Sequence, residues 1–381
     1  MASGIIAEYN PFHKGHKYHI NETIKRTNDD IVAIISGNFV QRGEPAMTDK
    51  HTRAKMALLN GVSLVLELPV EYATASADVF AMGAINILDS CGIVNSLSFG
   101  SEKGEIESFE DIAEILNNEP LKFREILKTQ LNKGLSYPLA RNIALEQYMG
   151  KTIDFLNKPN NILGLEYMRQ LKKINSPIKP ITIERIVSDY NSLKLSGEIS
   201  SASAIRTALA DNSISALNSV PENCIEMIKD KYIPTIDDFS NILAYILRTK
   251  SANEISVIAD ITEGLENKII NTDFNKTTDL IENIKSKRYP YSKLNRALLH
   301  IILNINKEEQ KKKPQYIRVL GVRKDKKKLL SEMSKKSKLP IVLNVKENEE
   351  LLRKEIMATD IYNIPMKKKM GLEYVTPVVF V

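Results

Sequence analysis

Cysteine is scarce in this chain. Among 381 residues only Cys91 and Cys224 occur, both in apolar surroundings and without C-x-x-C spacing. This usage argues against a disulfide framework and is typical of buried thiols in a reducing compartment. We therefore expect a cytoplasmic protein.

Long apolar runs are also missing. The longest apolar stretch, from about Leu64 to Leu88, is interrupted by Glu67, Glu71 and Asp78. The N-terminus has no basic segment followed by an apolar one, and the chain has no internal repeat. We therefore expect no membrane-spanning helix, no secretory signal and no repeat architecture.

Charge of one sign is concentrated at the C-terminal end. Residues 285–381 contain 24 Lys and Arg against 10 Asp and Glu, a balance of +14, so the total of +6 leaves −8 for residues 1–284. A basic region attached to an acidic body suggests a polyanionic partner, with nucleic acid the first candidate. Solvated lysine-rich faces are equally common, and charge alone leaves both interpretations open.

Short apolar runs alternate with amphipathic segments over the first hundred residues. The order predicts a doubly wound α/β core, in which ligands bind beyond the carboxyl ends of the strands. Thr48 is the predicted N-cap of the second helix, and Gly61 its stop. Strands are expected at Ile5 to Tyr9, Ile31 to Ser36, Leu64 to Leu68 and Ser96 to Phe99, and helices at His16 to Lys25, Thr48 to Asn60 and Ala77 to Ser90.

The rest of the chain is predicted to be largely helical. We expect a domain of residues 1–215, with a helical insertion at about 105–175, and a helical and small α/β, basic domain of residues 216–381. The first domain is expected to contain helices from Ser108 to Gln170, with a turn at Lys158 to Asn161, and a strand at Ile181 to Ile186. The second is expected to contain helices from Thr235 to Asn304 and a βαβ-like unit of Tyr316 to Gly321, Lys326 to Ser334 and Ile341 to Val345. His300 is expected to be a packed or surface residue of its helix.

The strongest indication of function is the H-x-G-H tetrapeptide formed by His13, Gly15 and His16. It lies between the first strand and the first helix, where Gly15 permits close approach of a ligand to the backbone. The helix start offers unpaired N–H groups and a positive dipole end to an anion. Two imidazoles at this place predict phosphoryl or nucleotidyl chemistry. A zinc site would normally need a third or fourth ligand, and no second cluster of His and Cys occurs.

A second candidate anion site is the segment Ile199 to Arg206, which reads I-S-S-A-S-A-I-R. It opens a predicted helix, and capping of that helix would account for one of its serines. Ser200, Ser201 and Ser203 together with Arg206 equally fit a bound phosphate. The segment taken alone leaves both interpretations open.

These two motifs, in this order, resemble the signatures of the H-x-G-H nucleotidyltransferase superfamily, whose core is Rossmann-like. Small-molecule adenylyltransferases commonly have G-x-F-D-P where this chain has Ala7 to Phe12. Nearly the whole chain instead resembles the bacterial tRNA(Met) cytidine acetate ligase family. The resemblance lies in Ala7 to His16, Ser36 to Ala46, Leu66 to Pro69, Phe99 to Glu102, Lys158 to Gly164 and Tyr316 to Gly321.

This resemblance implies a reaction in two steps. Acetate is activated with ATP as acetyl-adenylate, with release of pyrophosphate, and the acetyl group then passes to N4 of the wobble cytidine of elongator tRNA(Met). His13 and His16 are the implied catalytic residues, on the α-phosphate, and Mg²⁺ is expected to bridge phosphates. The implied nucleotide-binding residues are Ala7, Glu8, Tyr9, Asn10, Pro11, Phe12, His13, Gly15, His16, Gly100, Asn160, Asn161, Arg185, Ile186 and, around the pyrophosphate, Ser200, Ser201, Ser203 and Arg206.

Some of these residues have a structural alternative. Gly100 could be a turn glycine, the two asparagines turn formers, and Arg185 a surface residue of its strand. Further candidates for contact with phosphate or acetate are Gln41, Arg42 and Arg53, although Arg42 could equally pair with Glu44. Residues suited to an RNA surface are Lys285 to Arg296 with Tyr289 and Tyr291, Arg323 to Lys328, Lys335 to Lys338, and Lys367 to Lys369.

Two other functions compete with the ligase. A small-molecule adenylyltransferase acting on a phosphate-bearing acceptor would leave the +14 region unexplained. A non-catalytic RNA-binding protein with a degenerate nucleotide fold is opposed by the intact His13, His16, Ser200 and Arg206.

Overall fold

Ten strands run through the part of the chain that the computed structural model describes, which is residues 1–101, 106–153, 158–185, 200–262, 264–286 and 289–381. The longer strands come from near-continuous apolar runs, as expected for strands covered on both faces. The strands are β1 Ala2–Ala7, β2 Asp30–Ser36, β3 Phe39–Val40, β4 Glu44–Pro45, β5 Leu64–Leu68, β6 Val94–Ser101, β7 Lys179–Glu184, β8 Ile317–Val322, β9 Ile341–Val342 and β10 Val379–Phe380.

Eight of these strands form one sheet, in the order β10-β8-β5-β2-β1-β6-β7, with β9 also paired to β8. The pairs among β5, β2, β1, β6 and β7 are parallel, whereas β8 runs antiparallel to β5. The order reverses between β1 and β6: the chain continues from β1 outward to β2 and β5, whereas β6 lies on the other side of β1 and is followed outward by β7. Such a switch point opens a crevice at the carboxyl ends of the strands, where ligands bind in α/β folds. The remaining strands, β3 and β4, pair as a short antiparallel hairpin.

Helices cover both faces of the sheet and build a further helical layer. The alternation along β2 shows the arrangement: Val32 and Ile34 join one core cluster, while Ile31 and Ala33 join another on the opposite face. The helices are α1 Lys14–Thr27, α2 Lys50–Leu59, α3 Val70–Ala73, α4 Ala77–Ser90, α5 Glu107–Asn118, α6 Leu121–Asn132, α7 Tyr137–Met149, α8 Pro159–Lys173, α9 Ala202–Ala210, α10 Glu222–Ile228, α11 Ser240–Thr249, α12 Ala252–Ser256, α13 Leu265–Ile270, α14 Thr277–Ile284, α15 Tyr291–Ile302, α16 Lys327–Lys336, α17 Arg353–Asn363 and α18 Leu372–Val375.

A buried ionic cluster ties the C-terminal segment to the sheet. Lys50 Nζ lies 2.7 Å from Glu67 Oε1 and 2.9 Å from Glu373 Oε1. Arg318 Nη2 lies 2.7 Å from the same oxygen of Glu373. All four side chains are almost fully inaccessible to solvent, so each charge depends on its partners rather than on water. The cluster joins α2, β5, β8 and α18.

The alternating α/β pattern of the first hundred residues is confirmed, with small shifts at element ends. One expected cap is wrong: α2 begins at Lys50, and the side chain of Asp49, not of Thr48, accepts the hydrogen bond from Thr52 N–H, at 2.9 Å. The turn expected at Lys158 to Asn161 is also wrong, because Pro159 begins α8. Proline is well suited to a first helical position, where no N–H is needed.

The C-terminal βαβ-like unit forms, but not as a separate sheet. β8 and β9 are parallel neighbours around α16, as expected, and β8 also pairs with β5 of the central sheet. A boundary near residue 215 therefore does not separate two sheets, and the division into two domains stays a prediction. Cys91 and Cys224 are buried, as the sequence suggested. Of the helices in the described ranges, none combines the length and apolarity needed to cross a membrane.

Candidate functional site

The H-x-G-H segment forms the N-terminus of α1, directly after β1. His13 is the N-cap, with an extended backbone (φ −138°, ψ 171°). Its Nδ1 accepts a hydrogen bond from the N–H of Gly15 at 3.0 Å, and its own N–H donates to Nδ1 of His16 at 3.2 Å. The two histidines thus form a reciprocal capping box, the arrangement more often made by Ser or Thr with Glu. Part of their role is to begin the helix.

These caps determine where the imidazole protons lie. Because Nδ1 accepts a hydrogen bond in both His13 and His16, each neutral ring carries its proton on Nε2. The rings stack with centroids 3.7 Å apart. Burial, with Arg185 and Arg206 nearby, lowers the pKa of His13 to about 3, and burial lowers the pKa of His16 well below its ordinary value. Near neutral pH the pair therefore offers two uncharged Nε2–H donors.

A cleft of about 210 Å³ lies over these histidines at the carboxyl ends of β1 and β6. It collects residues from distant parts of the chain, including the N-termini of both α1 and α9. The predicted site residues that line it are Ala7, Glu8, Tyr9, Asn10, His13, Gly15, His16, Gln41, Gly100, Asn160, Arg185, Ser200 and Ser201. The predicted site residue Ile186 lies outside the described residues.

Other predicted site residues lie beside the cleft and support its wall. The ring of Phe12 is fully buried and packs edge-on against Tyr9, with centroids 4.9 Å apart, while Pro11 follows Asn10 through a cis peptide bond. Asn161 is buried in α8. Ser203 and Arg206 lie on α9, and the Arg206 guanidinium donates to the carbonyl oxygen of Asn10 at 2.7 Å. This bond joins the two sequence motifs at one edge of the sheet.

The serine segment performs a capping role in the structure. Ser201 is the N-cap of α9, and its Oγ accepts from the N–H of Ala204 at 3.1 Å. Ser200 Oγ accepts from Ser219 Oγ at 3.0 Å. Capping therefore accounts for Ser201, while Ser200 and Ser201 both still line the cleft. The anion-binding interpretation of these serines stays a prediction.

Gly100 has a steric reason for its place at the end of β6. A Cβ atom there would lie 3.2 Å from Cγ of Arg185, closer than nearly all such contacts. The backbone of Arg185 donates to the carbonyl of Ser101 at 3.1 Å, beside this glycine. Absence of a side chain at Gly100 thus lets the stem of Arg185 pass along the wall of the cleft.

Of the three additional candidates for phosphate or acetate contact, only Gln41 lines the cleft. Arg53 is fully buried, and its guanidinium donates to the carbonyl oxygens of Thr48, Glu8, Ser36 and Gly37. It holds the loops after β1 and β2 together, so the expectation that it contacts a ligand is wrong. Arg42 does not line the cleft, and its carbonyl oxygen accepts from Asn295 Nδ2 at 2.8 Å.

Sequence reasoning missed His19, which also lines the cleft. Its position three residues after His16 puts it on the same helix face, a signal that was available. Its Nε2 lies 2.9 Å from Ser98 Oγ. Thr23 Oγ1 gives its proton to the carbonyl of His19, so Ser98 must donate to Thr23 and accept from His19. Burial and Arg185 lower the pKa of His19 to about 4.

The cleft also has an apolar lining that the sequence did not single out. These residues come from α4, β6, α8 and β7, which are separated by long stretches of chain, so spacing along the sequence gave no signal. They are Phe80, Phe99, Leu163, Tyr167 and Ile183. An apolar, partly aromatic lining of this kind suits a planar base, while the helix N-termini at the cleft suit the phosphates of a nucleotide. In the described part of the chain, no three His, Cys, Asp or Glu side chains group as a metal site.

Comparison with known proteins agrees with this geometry. A family model described as HIGH Nucleotidyl Transferase matches residues 1–374. A protein of Thermoanaerobacter sp. (strain X514) named tRNA(Met) cytidine acetate ligase is 42% identical over 397 residues, covering 99% of this chain and 98% of its own length.

Solved structures give the same likeness. The apo crystal structure of TmcAL from Thermotoga maritima superposes with a TM-score of 0.93 at 33% identity, covering 100% of this chain and 99% of that one. A second crystal form of TmcAL, bound with alpha-thio ATP, gives a TM-score of 0.91 at the same identity and coverage.

Proposed function

This chain belongs to the tRNA(Met) cytidine acetate ligase family of HIGH nucleotidyl transferases. We therefore propose that it acetylates tRNA(Met) in a reaction that consumes ATP. Acetate is first activated as acetyl-adenylate, and the acetyl group then passes to N4 of the wobble cytidine of the elongator tRNA, in the cytoplasm. The observation that carries the proposal is the pair of stacked, uncharged histidines whose Nε2–H groups remain available at the cleft.

The first half-reaction uses the N-terminus of α1. An acetate oxygen attacks the α-phosphorus of ATP, and pyrophosphate leaves from the opposite side. His13 and His16 donate from Nε2 to the α-phosphoryl oxygens, where charge builds up in the transition state. Loss of one such donor typically costs about a hundredfold in rate. The two rings need no reorganisation, because the helix cap already fixes them.

The adenosine part of ATP is proposed to lie along the apolar wall, against Phe99 and Tyr167, with Gly100, Asn160 and Arg185 beside it. Support comes from the solved relative bound with alpha-thio ATP. The implied roles of Asn161 and Ile186 rest on the family resemblance alone.

The pyrophosphate is proposed to lie at the N-terminus of α9, near Ser200 and Ser201, with Ser203 and Arg206 behind them. Glu8 and Glu184 are the carboxylates among the cleft-lining residues that the structure describes, fewer than a cage made of protein ligands alone would need for Mg²⁺. We therefore propose that Mg²⁺ arrives bound to ATP as part of the substrate. There it would neutralise phosphate charge.

tRNA is proposed to bind the basic C-terminal region. Exposed lysines suited to phosphate contacts include Lys324, Lys327, Lys335 and Lys367 to Lys369. Other basic residues of this region are paired, for example Arg296 with Asp260 at 2.8 Å. Tyr291 is exposed and available for stacking on a base, whereas Tyr289 is buried, so its expected place on an RNA surface is wrong.

The test is exchange of labelled pyrophosphate into ATP across a panel of small carboxylic acids, with and without tRNA. Acetate should support the exchange, and labelled acetate should enter tRNA(Met). The variant His16→Ala should lose the exchange. Folded protein that does neither with acetate would overturn the proposal, and an adenylylated small product formed without RNA would favour the adenylyltransferase alternative.

A further inference from the structure

Glu8, one of the implied nucleotide-binding residues, places a carboxylate in the wall of the cleft, and the proposed attack of acetate on ATP gives this carboxylate no chemical role. It follows β1 directly, so its backbone is held by the sheet, and its side chain lines the same cleft as His13 and His16. The N–H of Gln41, another cleft residue, donates to Glu8 Oε1 at 3.0 Å. Among the described residues no hydrogen bond to Oε2 is found, and Glu8 is only partly buried. One oxygen is thus fixed and the other is available to a substrate.

The acetyl transfer needs a group with this chemistry. N4 of cytidine attacks the carbonyl carbon of acetyl-adenylate, the new N–C bond forms, and the bond from that carbon to the phosphate oxygen breaks, so that AMP leaves with the electron pair. The attacking amino group must also lose one proton. An aromatic amine is a weak nucleophile, and removal of that proton as the bond forms is typical general-base catalysis.

We propose that Glu8 is the general base of acetyl transfer, accepting the proton of cytidine N4 on Oε2 and passing it to solvent after AMP leaves. This role rests on the proposed function, because it concerns the second half-reaction only. The base and the α-phosphate donors then lie in one cleft, so acetyl-adenylate would not need to move between the two steps.

The surroundings of Glu8 suit a base of moderate strength. Burial raises the pKa of its carboxyl above the ordinary value, and this effect outweighs the opposing influence of Gln41 N–H, Arg206 and Arg42. A carboxylate of raised pKa binds a proton more readily than an ordinary one, as a general base must. Glu44 adds to the rise.

The histidines of the cleft are weaker candidates. Nδ1 of His13 and of His16 already accepts a backbone N–H, which leaves only Nε2–H donors. His19 retains a lone pair on Nδ1, but its pKa of about 4, set by burial and Arg185, makes it a poor proton acceptor. The N–H of Gln41 also orients Glu8, whereas the described hydrogen bond of the His19 ring orients Nε2 toward Ser98.

The experiment compares the two half-reactions in Glu8→Gln. Glutamine keeps an oxygen acceptor for Gln41 N–H but cannot take a proton. Single-turnover acetyl transfer from preformed enzyme-bound acetyl-adenylate to tRNA(Met) should fall about a hundredfold or more. Acetate-dependent pyrophosphate exchange should fall far less, so the ratio of the two rates should drop by at least an order of magnitude. The wild-type transfer rate should decline on the acid side as Glu8 is protonated, and the Glu8→Gln profile should lack that decline.

The matched control is Glu44→Gln, which removes a neighbouring carboxylate 3.9 Å from the same Arg206. It should leave the ratio of the two rates as in wild type. Equal losses of both rates in Glu8→Gln, or transfer near the wild-type rate, would overturn the proposal. If Glu8→Gln does not fold, Glu8→Asp should transfer slowly yet keep the acid-side decline, and a profile without it would also count against the role. Lack of exchange in the wild type would instead refute the proposed function.

Discussion

Nη1 of Arg206 donates a hydrogen bond of 2.7 Å to the carbonyl oxygen of Asn10. The bond connects the second turn of α9 with the loop that leads into α1, so the two helices that begin at the cleft are tied to each other. A hydrogen bond from a charged donor to a backbone carbonyl oxygen is stronger than one between two neutral groups. Arg206 therefore positions the loop before His13, besides lying next to the proposed pyrophosphate site.

Arg206→Lys should separate charge from geometry. Lysine retains the positive charge, but it cannot reach Asn10 O and Ser203 Oγ with the fork of a guanidinium. We expect kcat/KM for acetate-dependent pyrophosphate exchange to fall by at least about tenfold, with a small loss in Tm. Arg124→Lys, an exposed residue outside the cleft, is the control. Wild-type exchange in Arg206→Lys would show that charge alone suffices.

Two substitutions separate the helix-capping role of His13 from its role as an Nε2–H donor. His13→Asn keeps a side-chain acceptor for the N–H of Gly15 and so preserves the N-cap, but it removes the Nε2–H donor. His13→Ala removes both. We expect about a hundredfold loss of pyrophosphate exchange in each variant, and a further loss of roughly 1 kcal/mol in unfolding free energy in the alanine variant alone. Urea unfolding measures the stability, and equal stability of the two variants would contradict the capping role.

Sequence reasoning succeeded where structure is local. The runs Ile31 to Ser36 and Leu64 to Leu68 are apolar over the length of a strand and have one sensible interpretation in an α/β pattern. The pair His13 and His16 was identified because it lies at a strand-to-helix junction, and the structure places it in the cleft. The local sequence was enough to predict both the strands and the histidine site.

The strand pairing, the role of Arg53 and the apolar wall of the cleft depend on contacts between distant parts of the chain. Nothing in Ile317–Val322 indicates that it pairs antiparallel with β5, about 250 residues earlier, because an apolar strand does not specify its partner. Arg53 looked like a ligand contact, since the carbonyl groups that it binds come together only in the fold. The apolar wall of the cleft was missed for the same reason: Phe80, Leu163 and Ile183 lie on three separate elements.

Stability should fall in acid because of the histidines. All five have a lowered pKa in the folded chain, chiefly through burial. As the pH drops below about 6.5, these histidines bind protons in the unfolded chain but not in the folded chain. Each such group then lowers the free energy of unfolding by about 1.4 kcal/mol per pH unit. Burial raises the pKa of Glu71 to about 7 and of Glu355 to about 8, which acts in the opposite direction but involves fewer groups.

Urea unfolding at about pH 5 and pH 6.5 measures this loss. The midpoint should be clearly lower at the acid value. His51→Phe is the informative variant, because neither ring nitrogen of His51 has a hydrogen-bond partner among the described residues. It should show a shallower decline with pH than wild type. A midpoint that does not change between the two pH values would contradict the assignment of five neutral histidines.

Lys50→Met should be strongly destabilising, since it leaves Glu67 and Glu373 buried with Arg318 as their remaining cation. We expect a loss of about 3–5 kcal/mol in the free energy of urea unfolding at neutral pH. The control is Lys311→Met, which breaks the exposed pair with Glu308 and should cost less than about 1 kcal/mol. Adding Glu67→Gln to Lys50→Met should recover part of the loss, because it removes one uncompensated charge. A similar small loss in both lysine variants would mean that the C-terminal segment is held mainly by apolar contacts.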